Sequence, residues 1–344
     1  MKPLNELVCP NILRMNPEWS VRGSVGMLEN CVFLDADENP YNSPYNRYPD
    51  QAMTDLKIAL SKVKGVAFDN IYIIDGHGAS VDLLYRCFCR SGVDNVVAIE
   101  PTRKSYGRLA ELNGIEYRRV LLDENFQISG ERLLDACDSN TKIVWLCSPN
   151  VPSGNVISAS EVGLVLDMFD SIVVVDESYS DFTRQPSWRL RLRQYPNLVV
   201  LGSMDNSWGC AAIGLSMAFA SAAIVEVLEK IRIPYIVNSL TQKVALQQLR
   251  DPFEAEKWTR TIVVERQRMV AAFRDLQICV RAYPSDANFV LVEFVDSQAI
   301  YNYLLEKGIV VDNCCGEALC GNCLRITVGS KIENNELLSA LRQY

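Results

Sequence analysis

Short apolar runs alternate with amphipathic stretches through the first two-thirds of the chain. Ile71–Ile74, Asn95–Ile99, Lys142–Cys147, Ser171–Val175 and Asn197–Leu201 each predict a buried strand, bounded by Gly, Pro, Asp or Asn. Between them, Val81, Leu84, Tyr85 and Phe88 fall at i, i+3, i+4 and i+7. Val162, Val165, Leu166 and Phe169 repeat that spacing, with Ser158 or Ser160 as a candidate cap. Strands buried on both faces and alternating with helices predict an α/β domain whose mostly parallel sheet is covered on both sides. The pattern changes after Asn238. A long helical stretch, Leu240–Leu276, leads into strands at Asn288–Phe294 and Asn322–Val328, with helices at Ser297–Lys307 and Glu333–Gln343. The predicted organisation is a large α/β domain over residues 30–240 and a smaller α+β domain over 241–344, with 1–29 as an N-terminal arm grouped with the small domain. No repeat or Pro/Gly-rich linker separates the two.

The length of 344 residues suits two such cores. A formal net charge of −8 with no basic block excludes nucleic acid and an anionic membrane surface as general partners. The start, Met1–Lys2–Pro3–Leu4, lacks the apolar core of a signal peptide, and no apolar run approaches a membrane span. The expected location is therefore cytoplasmic. Twelve cysteines are scattered through apolar segments, where they act as small buried hydrophobes rather than as a disulfide framework.

Ligands of an open parallel sheet bind beyond the carboxyl ends of its strands, so the loops there carry the chemistry. Asp35-Ala-Asp-Glu-Asn-Pro40, Asn46-Arg-Tyr-Pro-Asp50, Ser148-Pro-Asn-Val-Pro-Ser-Gly-Asn155, Val174-Val-Asp-Glu-Ser-Tyr-Ser-Asp-Phe182 and Cys320-Gly-Asn-Cys-Leu-Arg-Ile-Thr-Val-Gly329 stand in this order. Together they resemble the motifs of histidinol-phosphate aminotransferases, pyridoxal-phosphate enzymes of the class I/II type. The resemblance implies an aminotransferase-type large domain, a dimer, and a set of inherited site residues. Asp176 would face the pyridine nitrogen and keep it protonated. Tyr179 would contact the ring oxygen, with Ser203 beside the cofactor. Tyr48 would reach a neighbouring chain's cofactor phosphate. Arg325 would hold a substrate carboxylate with its planar fork.

The same resemblance marks departures. The Schiff-base lysine of the family falls on Asn206, in Ser203-Met-Asp-Asn-Ser-Trp-Gly209, and an amide nitrogen is neither basic nor usefully nucleophilic. The family's phosphate-contacting serine is Asp205, a nearby arginine is Gly214, the ring-oxygen asparagine is Val151, and the ring-stacking tyrosine is Arg103. Its phosphate turn reads Gly76-His-Gly-Ala79, which places the one histidine, His77, there. These changes lead to the expectation of a chain without covalently bound cofactor, with pyridoxal phosphate weak or absent, that does not transaminate and acts as a binding, regulatory or partner subunit. It would be a homodimer or pair with a competent aminotransferase chain. Two alternatives stand beside that reading: an enzyme rebuilt around His77, Asp205 and Arg103 for other chemistry, and a working aminotransferase using an unexpected lysine.

Cys314-Cys315 and Cys320-x-x-Cys323 invite a metal reading. Cys323 leads into a strand that also carries Arg325, and adjacent cysteines point to opposite faces if extended, so no metal is expected.

Overall fold

The computed structural model describes residues 2–18 and 32–344. Seven strands form the large sheet: β1 Ile71–Asp75, β2 Asn95–Glu100, β3 Glu116–Leu121, β4 Thr141–Cys147, β5 Ile172–Asp176, β6 Leu198–Ser203 and β7 Leu215–Phe219. Their order is β1-β7-β6-β5-β4-β2-β3. β2 to β6 run parallel, whereas β7 is antiparallel to both β1 and β6. The period of two along each strand feeds two cores. Val173 and Val175 of β5 join one layer and Ile172 and Val174 the other, as do Ile71 and Ile73 against Tyr72 and Ile74 on β1.

The five expected strands form within a residue or two of their predicted bounds. Two strands lay outside that pattern. β3 reads Glu-Tyr-Arg-Arg-Val-Leu and is mostly exposed because it is a sheet edge, where one row of polar groups meets water. β7 returns antiparallel after a short connection. The predicted stretch Leu240–Leu276 is two helices, Ser239–Leu249 and Pro252–Arg274. Pro252 lacks the N–H that would continue the first helix and restricts Asp251, but suits the first turn of the second. Asn238 caps the first by accepting from the N–H groups of Leu240 and Thr241.

The second sheet is antiparallel throughout, in the order β10-β11-β9-β8, from β8 Cys279–Ala282, β9 Phe289–Phe294, β10 Asp312–Asn313 and β11 Cys323–Thr327. Helices Pro252–Arg274, Ser297–Glu306 and Lys331–Gln343 bury its apolar face, with Met269, Phe273, Ile300, Leu304, Leu337 and Leu341. The arm places Leu7, Val8 and Ile12 against the large sheet's layer, and the Cys9 N–H donates to the Cys87 carbonyl at 2.8 Å. Ala245 and Leu249 also join a large-sheet core. The proposed division at 29/30 lies outside the described residues. Among the described residues, no helix is long and apolar enough to cross a membrane.

Candidate active site

β1, β2, β4, β5 and β6 all end on one edge of the large sheet, and the loops beyond them converge there. Register places Cys147 beside Asp176, and Asp176 beside Leu201, two residues before the end of β6. The loops are tied to each other by buried hydrogen bonds. Thr102 Oγ1 donates to Asn150 Oδ1 at 3.0 Å, and Asn150 Nδ2 donates to the Pro101 carbonyl at 3.0 Å. These bonds fix the position of Arg103 after β2 and of buried Val151 after β4.

Asp176 is the centre of the site and is 0% exposed. Its Oδ2 lies 2.7 Å from His77 Nε2, accepts from the Tyr106 hydroxyl at 2.5 Å, and lies 2.9 Å from Arg103 Nε. Its Oδ1 accepts from the Ser178 hydroxyl at 2.6 Å and the Ser178 N–H at 3.0 Å. Burial alone would raise this carboxyl, but Arg103 and His77, with the Ser178 bond, hold it well below the usual carboxylate range. Arg103 is in turn held charged: burial disfavours the cation, and Asp176 more than offsets that. Its guanidinium carbon lies 5.1 Å from the Tyr179 ring centroid, and that ring meets Phe289 edge-on at 5.2 Å. Arg325 adjoins the same Phe289, its guanidinium carbon 5.2 Å from that centroid and its Nη2 3.0 Å from Asp312 Oδ2.

Segment 203–207 closes the site. Ser203 Oγ accepts from the Asp205 N–H at 2.9 Å. Burial pushes the Asp205 carboxyl up, against the opposing pull of Ser203, His77 and Arg103, and its Oδ1 has no hydrogen-bond partner. Asn206 Nδ2 donates to the Ser178 carbonyl at 3.2 Å, and the Ser207 hydroxyl donates to Asp181 Oδ2 at 2.5 Å. Lys64 is the lysine that these contacts bring beside the segment, and its ammonium is committed to Asp181 at 3.1 Å. Gly214 has φ +56°, a left-handed backbone that an arginine would occupy only with strain.

Of the residues singled out in the sequence, the fold therefore gathers His77, Arg103, Asp176, Tyr179, Asp205 and Asn206. It leaves Tyr48 apart from them, in the loop before the helix Thr54–Lys64, 51% exposed and stacked on Tyr235 at 4.6 Å. Tyr106 and Ser178 were missed. Ser178 follows Asp176 by two positions, the offset of a local side-chain turn. Tyr106 gave no signal beyond its place on the helix Lys104–Leu112 after Arg103; its ring is fixed by stacking on Trp145 at 4.6 Å.

As these side chains stand, they do not fit a pyridoxal phosphate. A carboxylate offers about four acceptor positions, and five groups already crowd the two oxygens of Asp176. A guanidinium 2.9 Å from Asp176 Oδ2 also takes the charge partner that a protonated pyridine nitrogen would need. Among the described residues, no group of three or more His, Cys, Asp or Glu side chains is arranged to hold a metal.

Residues 31–341 match the aminotransferase class I and II family. A histidinol-phosphate aminotransferase of Bacteroides thetaiotaomicron is 49% identical over 344 residues, covering 100% of this chain and 99% of its own. One from Bacteroides fragilis is 47% identical with 100% of both chains covered. The crystal structure of the histidinol-phosphate aminotransferase from Clostridium acetobutylicum superposes with a TM-score of 0.80 at 22% identity, over 86% of this chain and 90% of that one. That from Sinorhizobium meliloti, in complex with pyridoxal-5'-phosphate, gives 0.78 at 22% identity over 86% and 82%; these two likenesses concern the fold. The full-length relatives overturn the expectation of a non-transaminating binding, regulatory or partner subunit. That expectation weighed a handful of loop positions. Identity at nearly half of all positions over the whole length of both chains outweighs them and favours a working enzyme.

Proposed function

Because the chain belongs to the class I and II aminotransferases, and within them to the histidinol-phosphate aminotransferase family, we propose that it transfers an amino group between histidinol phosphate and an oxo acid, a step of histidine biosynthesis. The observation that carries this reading is the 49% identity to a named histidinol-phosphate aminotransferase across the whole of both chains.

The residue roles belong to the same proposal. Asn206 is read as standing at the family's lysine position, with Trp208-Gly209 setting the register and the Ser178 carbonyl holding its amide beside Asp176. Arg325 is read as the group that takes the oxo-acid carboxylate, exchanging it for its present partner Asp312. Tyr48, exposed in the loop before the helix Thr54–Lys64, is read as a contact to a second copy in a homodimer. The proposed place of action is the cytoplasm.

The test is amino transfer from histidinol phosphate to 2-oxoglutarate by the purified protein supplied with pyridoxal phosphate. Glutamate formation above a protein-free control is expected; none above that control would overturn the reading. Asn206 supplies no basic nitrogen, so turnover is expected to be slow. Asn206→Lys should raise kcat by roughly 10²–10⁴-fold, the usual worth of a positioned proton-transfer group. An unchanged kcat would show that another side chain already moves the proton.

A further inference from the structure

A second cavity, of about 700 Å³, opens between the end of the helix Thr54–Lys64 and the start of the helix Pro252–Arg274, with Ser207 and Trp208 in its wall. That volume suits a small organic ligand. The chain as a whole carries a formal charge of −8. This cavity is nevertheless lined by four cations, Lys62, Lys64, Arg189 and Arg260, against two carboxylates, Asp181 and Glu256. A concave surface of the opposite sign to the rest of the molecule concentrates anions.

Both carboxylates are already matched. Lys64 Nζ lies 3.3 and 3.1 Å from the two oxygens of Asp181, and the Ser207 hydroxyl donates to the same carboxylate at 2.5 Å. Lys64 also stands over the Trp208 ring, 5.3 Å from its centroid. Glu256 is held by Arg260 at 2.7 Å, one helical turn away. Lys62 and Arg189 remain, and among the described residues neither makes an ion pair. Arg189 is nonetheless positioned. Its Nε donates to the Lys64 carbonyl at 2.9 Å, which leaves the two Nη groups of its fork without a hydrogen-bond partner among the described residues. The helix Pro252–Arg274 begins on the rim with no side chain capping it, and its N-terminal partial charge has the same sign. Beside it, Phe253 holds its ring 74% exposed.

From this geometry we propose that the cavity binds a phosphate monoester that carries a planar ring. The dianion matches the two unpaired cations. Arg189 offers its planar fork to the phosphate oxygens, and Lys62 supplies a point charge. The ring covers Phe253 and takes its face out of water. A monocarboxylate leaves one cation unmatched, and inorganic phosphate leaves Phe253 exposed. Ser207 and Trp208 follow Asp205 and Asn206 directly in the chain. An occupant of the cavity therefore bears on the segment that closes the strand-end site without touching Asp176.

The test is titration calorimetry of the full chain with phenyl phosphate at about pH 8, where a phosphate monoester is a dianion. Wild type, Lys62→Ala, Arg189→Gln and Phe253→Ala are compared, each checked for folding by its thermal transition. Wild type should bind with a Kd of about 0.1–1 mM. Loss of either cation should weaken binding about tenfold, the scale of one charge-assisted bond. Phe253→Ala should weaken phenyl phosphate about threefold and leave inorganic phosphate unchanged. Lys62 is exposed on its helix, so its variant decides the matter even where Arg189→Gln does not fold. No saturable binding by wild type below about 10 mM overturns the proposal. So does binding that Lys62→Ala or Phe253→Ala leaves unmoved, the pattern expected of phenyl phosphate seated at the strand-end site instead.

Discussion

Two buried clusters of charge in the large domain invite comparison. One joins Lys57, Glu229 and Arg232 on the helical side of the sheet; the other joins His77, Arg103, Asp176 and Asp205 at the strand ends. In the first, every group is matched. Lys57 Nζ lies 3.1 Å from Glu229 Oε1, Arg232 grips Glu229 with both Nε and Nη2, and Arg232 Nη1 donates to the Ile73 carbonyl at 3.3 Å. Arg232 also covers the face of Tyr72 at 4.3 Å. Burial raises Glu229, but its two cations hold it below the ordinary range. In the second, one carboxylate is crowded while Arg103 Nε and Asp205 Oδ1 make no hydrogen bond. Buried polar atoms left unmatched are costly to stability. The matched cluster has the character of a fastening, and the mismatched one that of a site whose groups are meant to meet something else.

That contrast can be broken most severely at Glu229. Glu229→Ala leaves two buried cations unpaired and should cost about 3–5 kcal/mol in denaturant unfolding, with amino transfer per folded molecule unchanged. A cost under about 1 kcal/mol would place the two clusters in one class. Asp176→Asn removes the charge of the other cluster. Because Arg103 Nε makes no hydrogen bond to it, the stability cost should be smaller, about 1–3 kcal/mol. Turnover should nevertheless fall by about 10²-fold, the scale of one preorganised electrostatic contact. A stability loss equal to that of Glu229→Ala would show that both clusters fasten the fold alike.

The smallest effect is expected at Glu177, the neighbour of Asp176 on the opposite side of the strand. It accepts from the Ser187 hydroxyl and from the Trp188 N–H at 2.7 Å. Burial, only partly opposed by those bonds, pushes its carboxyl up to about 7. A group whose pKa is raised on folding holds more protons in the native state than in the unfolded one. Its stability contribution is therefore full below its ordinary value of 4.5 and is lost as pH rises through about 7. Glu177→Gln, which cannot ionise, should flatten that decline and gain on the order of 1 kcal/mol at pH 8. Identical pH profiles for the two proteins would show that Glu177 is ionised throughout.

The amino-acid sequence by itself determined the alternation of strand and helix, the change of pattern after Asn238, and the placement of Asp176 at a strand end. Those features are local: β-branched runs such as Ile172–Val175 and the spacing Val81, Leu84, Tyr85, Phe88 act through their own neighbours. It also marked Asn206, Arg103 and His77 as departures, but not what they meet. The sequence reading weighed those departures as lost function, because substitutions taken singly carry no record of how the remaining positions match a working family. Only the tertiary structure decided that Arg103 turns onto Asp176 and that Tyr106 donates to the same carboxylate. It also decided that Tyr48 stacks on Tyr235 away from that carboxylate, and that Lys57 finds Glu229. Those contacts join loops beyond different strands, or helices far apart in the chain. A side chain's partner across such a gap depends on sheet order and packing rather than on any period in the sequence. The order β1-β7-β6-β5-β4-β2-β3 is what brings the ends of β2 and β5 to one carboxylate.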